Sequence, residues 1–444
     1  MARQLARVIV GEMSAEDILL VASRLVVDAD TIFSPGAVAV SGESVLASGS
    51  PADAAAALPP GHRRVDMPGC AILPGLVNAH THLQIPPVGM PDEDEVAAAG
   101  GSPFVAWLLR VIAWRRGAAP ADFALHFRIA AGEALACGTT AVGEVAGADL
   151  SLYDGCPLRA RVFAESIGFA PEAAEAAENA VDATLERLRA SAGANPLLLP
   201  GISPHTPYTV GGSLLRSLAG RAASGGIPLA LHLAESPAEV EFLRSGTGPI
   251  ASVLFPAVGQ DVSWFRGVGM PLPEYLARTG ILREGTLLVH NVHLSRAEID
   301  ALRRGGARFA LCPRSNAAHG NGFPDVTHFV DSGIPFALGT DSRASVPSLS
   351  LWDEMRAAAD LYRGGLPDAA LARVLFRAAT GNGSAALGLP GGTLRPGSPA
   401  DLCVVDDPGG PDAGILTRLL ETVDRREIRA TVVGSAWRHG ESPY

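Results

Sequence analysis

The stretch Leu73-Pro-Gly-Leu-Val-Asn-Ala-His-Thr-His82 reads as a short apolar strand that ends abruptly in two histidines one residue apart. Side chains at i and i+2 of a strand leave the same face, so His80 and His82 can grip one metal ion. Imidazole favours zinc, iron, copper or nickel over magnesium or calcium. The same pair standing alone would also fit surface or core histidines. What separates the two readings is the set of residues at the ends of the other strands.

Working outward, apolar strands are expected at 72–82, 139–145, 161–168, 198–205, 228–235, 286–292, 308–315 and 335–342. Between them the spacing turns helical: Phe104, Trp107, Leu108 and Ile112 recur at three and four, as do Leu185 with Leu188 and Ile299 with Leu302. Eight such strands close a parallel barrel, and continuous apolar runs suit strands buried on both faces. The fold expected is α/β, a (β/α)8 TIM barrel. Short β-branched runs at Ile18–Val21, Leu25–Val27 and Ala37–Val40 are matched at the far end by Ala400–Asp406 and Ile428–Val433, which predicts a small composite β-sandwich domain built from both chain ends. The expected division is 1–68, 69–390 for the metal-dependent barrel, and 391–444. The Pro- and Gly-rich loops 84–101 and 246–273 follow barrel strands and read as lids.

Composition narrows the chemistry. In 444 residues, 48% hydrophobic and 18% charged, the pattern is globular. A net charge of −11 without a basic run argues against nucleic acid and for a small-molecule substrate. The 35 basic residues include no lysine, which excludes Schiff-base chemistry, a P-loop lysine and a carbamylated lysine between two metals. The five cysteines (Cys70, Cys137, Cys156, Cys312, Cys403) form no Cys-x-x-Cys pair and read as buried thiols in a reducing compartment. Arg3 and Arg7 precede an apolar run of only Val8–Val10, so no signal peptide and no membrane span are expected, and the location expected is the cytoplasm.

Histidines and carboxylates recur where the strands end: His80 and His82, then His205, His232 with Glu235, His290, and Asp341. Each taken singly fits a satisfied core residue. Their arrival at the C-terminal ends of five barrel strands is what a catalytic site requires. Glu144 and Glu165 end two further strands and could contact substrate or support the histidines. His293 falls on an outer loop, and His319 is a less certain pocket residue.

With these motifs in hand, Pro74–His82, Ser203-Pro-His-Thr-Pro-Tyr-Thr209, His232-Leu-Ala-Glu235, Leu288-Val-His-Asn-Val-His293, Cys312-Pro-Arg-Ser-Asn316 and Gly339-Thr-Asp341 resemble the amidohydrolase superfamily. Within it they look like the zinc-dependent deaminases of adenosine-type compounds: methylthioadenosine, S-adenosylhomocysteine and aminodeoxyfutalosine deaminases. The resemblance implies His80, His82, His232 and Asp341 as metal ligands, Glu235 as proton shuttle, His290 as holder of the attacking water, and His205 as a substrate contact. Beside these, Glu144, Glu165 and Trp107 are expected as further candidate substrate contacts, with support of the histidines the alternative for the two glutamates. It further implies one divalent metal per chain, zinc with Fe2+ as alternative, and a metal-activated water attacking the purine C6 with Asp341 taking its proton and ammonia leaving. His205 stands where two-metal relatives carry a bridging residue, hence the single metal. Gln84, where many aminodeoxyfutalosine deaminases have glutamate, and Val346-Pro347 are departures expected to lie near the substrate. A triazine or guanine-type hydrolase on the same scaffold and a non-catalytic scaffold protein are the alternatives. A homo-oligomer is left open.

Overall fold

The computed structural model describes residues 17–440, so the expectations resting on Arg3, Arg7 and Val8–Val10 lie outside the described residues. Both chain ends meet in a single eight-stranded sheet. Its order is Ala436–Gly440, Ile428–Val433, Leu402–Asp406, Arg63–Pro74, Asp17–Asp28, Gly36–Ser41 and Ser44–Gly49, with Thr31–Phe33 paired to Asp17–Asp28. The sandwich expected of these ends is thus one continuous hydrogen-bonded sheet. Leu402–Asp406 runs antiparallel to Cys70–Pro74, which is where the two ends join. Ile18, Leu25, Val38, Ile72, Val404 and Trp437 pack on one side of it as a core of their own. The runs 18–21 and 25–27 belong to one strand, kept together across a register irregularity between Ala22 and Arg24.

The expected first barrel strand, 72–82, is two strands. Arg63–Pro74 stays in the terminal sheet, and Leu76–Thr81 opens the central region. The change of sheet happens at Gly75, whose N–H bonds Asp401 O at 3.0 Å while the next N–H, of Leu76, bonds Gly138 O at 3.0 Å. A Cβ at residue 75 would lie 2.1 Å from Thr140 Oγ1, so only glycine lets the chain pass there.

The central region has two parallel four-stranded sheets. One takes Leu76–Thr81, Thr139–Val145, Arg159–Ser166 and Leu198–Pro204; the other takes Ala230–Leu233, Leu287–His290, Arg308–Leu311 and Ala337–Leu338. A parallel bridge between Ile202 and Leu229 joins them along one seam. Along the other, Asp341 N–H donates to His80 O at 3.0 Å. Every residue of Leu76–Thr81 and Thr139–Val145 is buried, so both faces of these strands are covered and no polar-out alternation appears. Helix Pro103–Gly117, begun by the Ser102 cap, turns Phe104, Trp107 and Val111 inward.

The central region is tied to the terminal sheet by Arg159 Nε and Asp401 Oδ2 at 2.7 Å, both almost fully buried. Removing either partner would strand a buried charge at a cost of about 3–5 kcal/mol. No disulfide forms among the described cysteines, of which all but the half-buried Cys70 are buried. No helix among the described residues is long and apolar enough to cross a membrane.

Candidate active site

Seven of the expected residues converge at the C-terminal ends of the parallel strands. His80 and His82 leave the same face, their rings 4.9 Å apart. His80 Nε2 and His232 Nε2 face one another at 3.2 Å. Asp341 Oδ1 lies 3.7 Å from His80 Nε2 and 3.6 Å from His82 Nε2. Gly339 allows this approach, since a Cβ there would meet the His80 Cβ at 2.8 Å.

Protonation follows from the partners. His232 Nδ1 is 2.8 Å from the His205 carbonyl, which can only accept, so Nε2 carries the lone pair. Burial, reinforced by His232 and His82, holds His80 well below the ordinary imidazole value, and burial pushes His82 down to about 3. Donors about 2.0–2.2 Å from a tetrahedral ion stand roughly 3.3–3.6 Å apart, and the gaps from His80 to His232, 3.2 Å, and from Asp341 to His80 and His82, 3.7 and 3.6 Å, are of that order. Two overlapping donor sets are close enough to share an ion: His80, His82 and Asp341, and His80, His232 and His290.

His290 is distinguished from the other imidazoles by its contacts. Asn316 Nδ2 donates to its Nδ1 at 3.0 Å, which puts the proton on Nε2, 3.7 Å from Glu235 Oε2. Glu235 also receives Asn321 Nδ2 at 3.4 Å. Burial first, then the charges of Asp341 and Glu239, raises the Glu235 carboxyl well above its usual range. Asp341 is the opposite case. Burial works against its ionisation, but His80, His290 and the Ser345 and Ser315 hydroxyls, at 2.6 and 2.7 Å from Oδ2, keep it below the usual carboxylate value.

A cavity opens from this cluster, lined by His82, His205, Glu235, Trp107, Phe169 and Glu165 together with further apolar side chains. His205 Nδ1 sits 2.8 Å from Thr209 Oγ1, which already accepts from the Thr206 N–H, so the opposite edge of the ring is free to meet a ligand. Glu165 borders the cavity beside Arg115, whose Nη1 lies 3.4 Å from Oε2; burial would raise this carboxyl, but Arg115 and the nearby histidines bring it down to about 2. Trp107 closes one wall and donates Nε1 to Ala344 O at 3.1 Å. Leu254, Phe255, Val258 and Gln260 bring the 246–273 loop onto the cavity, and Ile85 brings the start of the 84–101 loop.

Three expectations are displaced. Glu144 is fully buried behind His82, accepting the Leu83 N–H at 2.9 Å and the Tyr153 hydroxyl at 3.0 Å, and it does not line the cavity. Gln84 turns to Asp149, at 2.9 Å from its carbonyl, and not to the cavity. His319 is buried, its ring 4.0 Å from that of Trp107, behind the cavity wall and not in it. Sequence reasoning passed over Arg115, Asn321 and Glu239 altogether. It quoted Ser315 and Asn316 only as part of a motif.

The sequence profile of the amidohydrolase family matches residues 71–438. Among curated relatives, an aminodeoxyfutalosine deaminase of Deinococcus radiodurans is 34% identical over 80% of this chain and 82% of its own length. A 5-methylthioadenosine/S-adenosylhomocysteine deaminase of Halobacterium salinarum is 32% identical over 95% of this chain and 90% of its own. Among solved structures, an adenosine deaminase from Xanthomonas campestris with bound zinc superposes with a TM-score of 0.77 at 25% identity, covering 96% of this chain and 94% of that one.

Proposed function

We propose that this chain, which belongs to the amidohydrolase family, is a metal-dependent deaminase of adenosine-type nucleosides. Its family and its deaminase relatives make it a hydrolytic enzyme acting on C–N bonds. The observation that carries the narrower reading is the pairing of two unlike carboxyls at one donor cluster: Asp341 held ionised and Glu235 held protonated, on either side of the histidines. A deamination needs a base for water and an acid for the ring nitrogen and leaving amine, and carboxyls whose environments push them apart fill both parts.

His80, His82, His232 and Asp341 would hold the metal, zinc by donor type. When bound, the ion supplies a Lewis acid that makes water a nucleophile near neutral pH. Asp341 takes the proton of the attacking water. Glu235 delivers a proton to the ring nitrogen beside the amidine carbon and then serves the departing ammonia. His290 points its Nε2–H at the site and steadies the water; because that nitrogen is protonated, it is a donor and not a fourth histidine ligand. His205 turns the free edge of its ring to the base, while Trp107 and Phe169 exclude water around it and Glu165 is placed to accept sugar hydroxyls. We read the two four-stranded sheets as halves of one eight-stranded barrel, with its boundary to the terminal sheet at Gly75 and not at 68.

Ammonia release from adenosine, methylthioadenosine, S-adenosylhomocysteine and aminodeoxyfutalosine, measured beside elemental analysis, tests this reading. One equivalent of zinc and turnover of at least one of the four are expected. Failure to release ammonia from any of them by metal-replete enzyme would refute it.

A further inference from the structure

The pattern Ser236-Pro-Ala-Glu239 looks like an ordinary capping box, in which the carboxylate at N3 reaches back to the N–H of the cap. Glu95 and Glu298 do just that at the starts of their helices: Glu95 Oε2 accepts the Asp92 N–H at 2.9 Å, and Glu298 Oε2 accepts the Ser295 N–H at 2.9 Å. Both of those glutamates are partly exposed, whereas Glu239 is completely buried. Its oxygens reach beyond the cap to the two residues before it, taking the Ala234 N–H at 2.9 Å on Oε1 and the Glu235 N–H at 2.8 Å on Oε2, while its own N–H is held by Ser236 Oγ at 3.2 Å. Ala234 is in the left-handed region with φ of 50°, a conformation that alanine avoids by about 1–2 kcal/mol. The backbone turn that carries the Glu235 side chain into the cavity is therefore held in an unfavoured shape by a two-point carboxylate grip.

We propose that Glu239 is a positioning residue for Glu235: it clamps the 234–235 turn so that the Glu235 carboxyl points at the reacting ring nitrogen. The assignment of Glu235 as proton donor rests on the deaminase reading above; the clamp does not. Glutamine at 239 is nearly isosteric but can accept only one of the two N–H groups and opposes the other with its own amide.

Hydrogen exchange of metal-loaded E239Q against the parent tests the clamp without any substrate. Exchange at the 234 and 235 amides should accelerate by about tenfold or more, a loss of at least 1.4 kcal/mol of local protection, with the peptide over Leu287–His290 unchanged. Equal exchange in the two proteins overturns the clamp. Wild-type turnover is measured first, so a failed deaminase reading shows as no ammonia from the parent while the exchange result still decides the clamp. With an active parent, E239Q should lose kcat by about tenfold or more at a KM within a few-fold and unchanged metal content. Where E239Q folds poorly, kcat is compared at a temperature at which both proteins are fully folded by circular dichroism: a kcat still about tenfold below the parent's sustains the positioning role, and a kcat equal to the parent's means that Glu239 supports the fold alone and overturns it.

Discussion

The two halves of the central region reach the same site by different means. In the first half the strands run six to eight residues; Glu144 and Glu165 stand on strand backbone, and His80 sits in a register irregularity between Asn78 and Thr81 without a left-handed residue. In the second half they shrink to four, four, four and two residues. Of the five non-glycine residues with positive φ among those described, Ala234, His290, Asn291 and Asp341 end strands of the second half, and the fifth, Ser435, lies in a terminal turn. Each left-handed residue costs on the order of 1–2 kcal/mol and persists only where its surroundings over-determine it. Here Glu239 holds the Ala234 turn, Asn316 holds His290, the Asn291 amide returns to Leu288 O at 2.8 Å, and Ser315 and Ser345 hold Asp341. On the roles proposed above, the first half offers His80 and His82 from a strand end, and the second carries Glu235, His290 and Asp341 on bent backbone, which supplies the angular control that proton transfer needs.

The largest effect should come from the seam between the halves. His232→Asn removes the imidazole whose Nε2 faces His80 at 3.2 Å, and the purified variant should contain little metal and show no measurable turnover. Full metal retention by this variant would remove His232 from the proposed ligands and leave Asp341 as the second half's sole contribution to them.

Next, Glu235→Gln should keep its metal and lose about 10²–10⁴-fold in kcat, the usual share of a general acid–base group. A loss below roughly tenfold would move the proton transfer to another residue. The third and smaller effect belongs to the first half. His205→Asn should leave metal content unchanged and cost on the order of 1–3 kcal/mol in kcat/KM for the nucleoside, as expected when a substrate polar group loses its partner. A metal-free His205 variant would put that ring among the ligands.

This asymmetry also governs what could be read from the sequence. Thr139–Val145 was legible to the residue because the β-branched Thr139, Thr140, Val142 and Val145 stand between Gly138 and Gly147. For the last strand, 335–342 was expected and only Ala337–Leu338 pairs, because the ladder stops where the chain bends to aim Asp341. Sheet membership was not legible either: apolar character runs through Pro74 and Gly75 while the hydrogen bonds change sheets. The candidate metal ligands stood out because histidines at strand ends are conspicuous. The residues that orient them did not, since Asn316 meets His290 across 26 positions and Asn321 meets Glu235 across 86. Glu144 and Glu165 both end strands, and only the packing of Tyr153 against one and Arg115 against the other tells supporter from cavity wall. Glu239 went unread as well: the spacing Ser236-x-x-Glu239 is that of an ordinary helix cap and carries no sign of a grip on Glu235.

The smallest expected effect compares the halves directly through one substitution made twice. Ala164 and Ala234 are both fully buried; the first lies within the regular strand Arg159–Ser166, and the second has φ of 50°. Replacing either by glycine removes one buried methyl, worth about 0.8 kcal/mol by transfer. At Ala164 the glycine adds its own backbone entropy, roughly 0.5–1 kcal/mol more, so the strand should be destabilised by about 1.5 kcal/mol. At Ala234 the relief of left-handed strain, on the order of 1–2 kcal/mol, offsets both terms, and stability should stay within about 0.5 kcal/mol of the parent. Urea midpoints read at a common m-value measure the difference. Equal losses at the two sites would mean that the 234 turn is unstrained, and the contrast between a regular first half and a bent second half would then have no energetic content there.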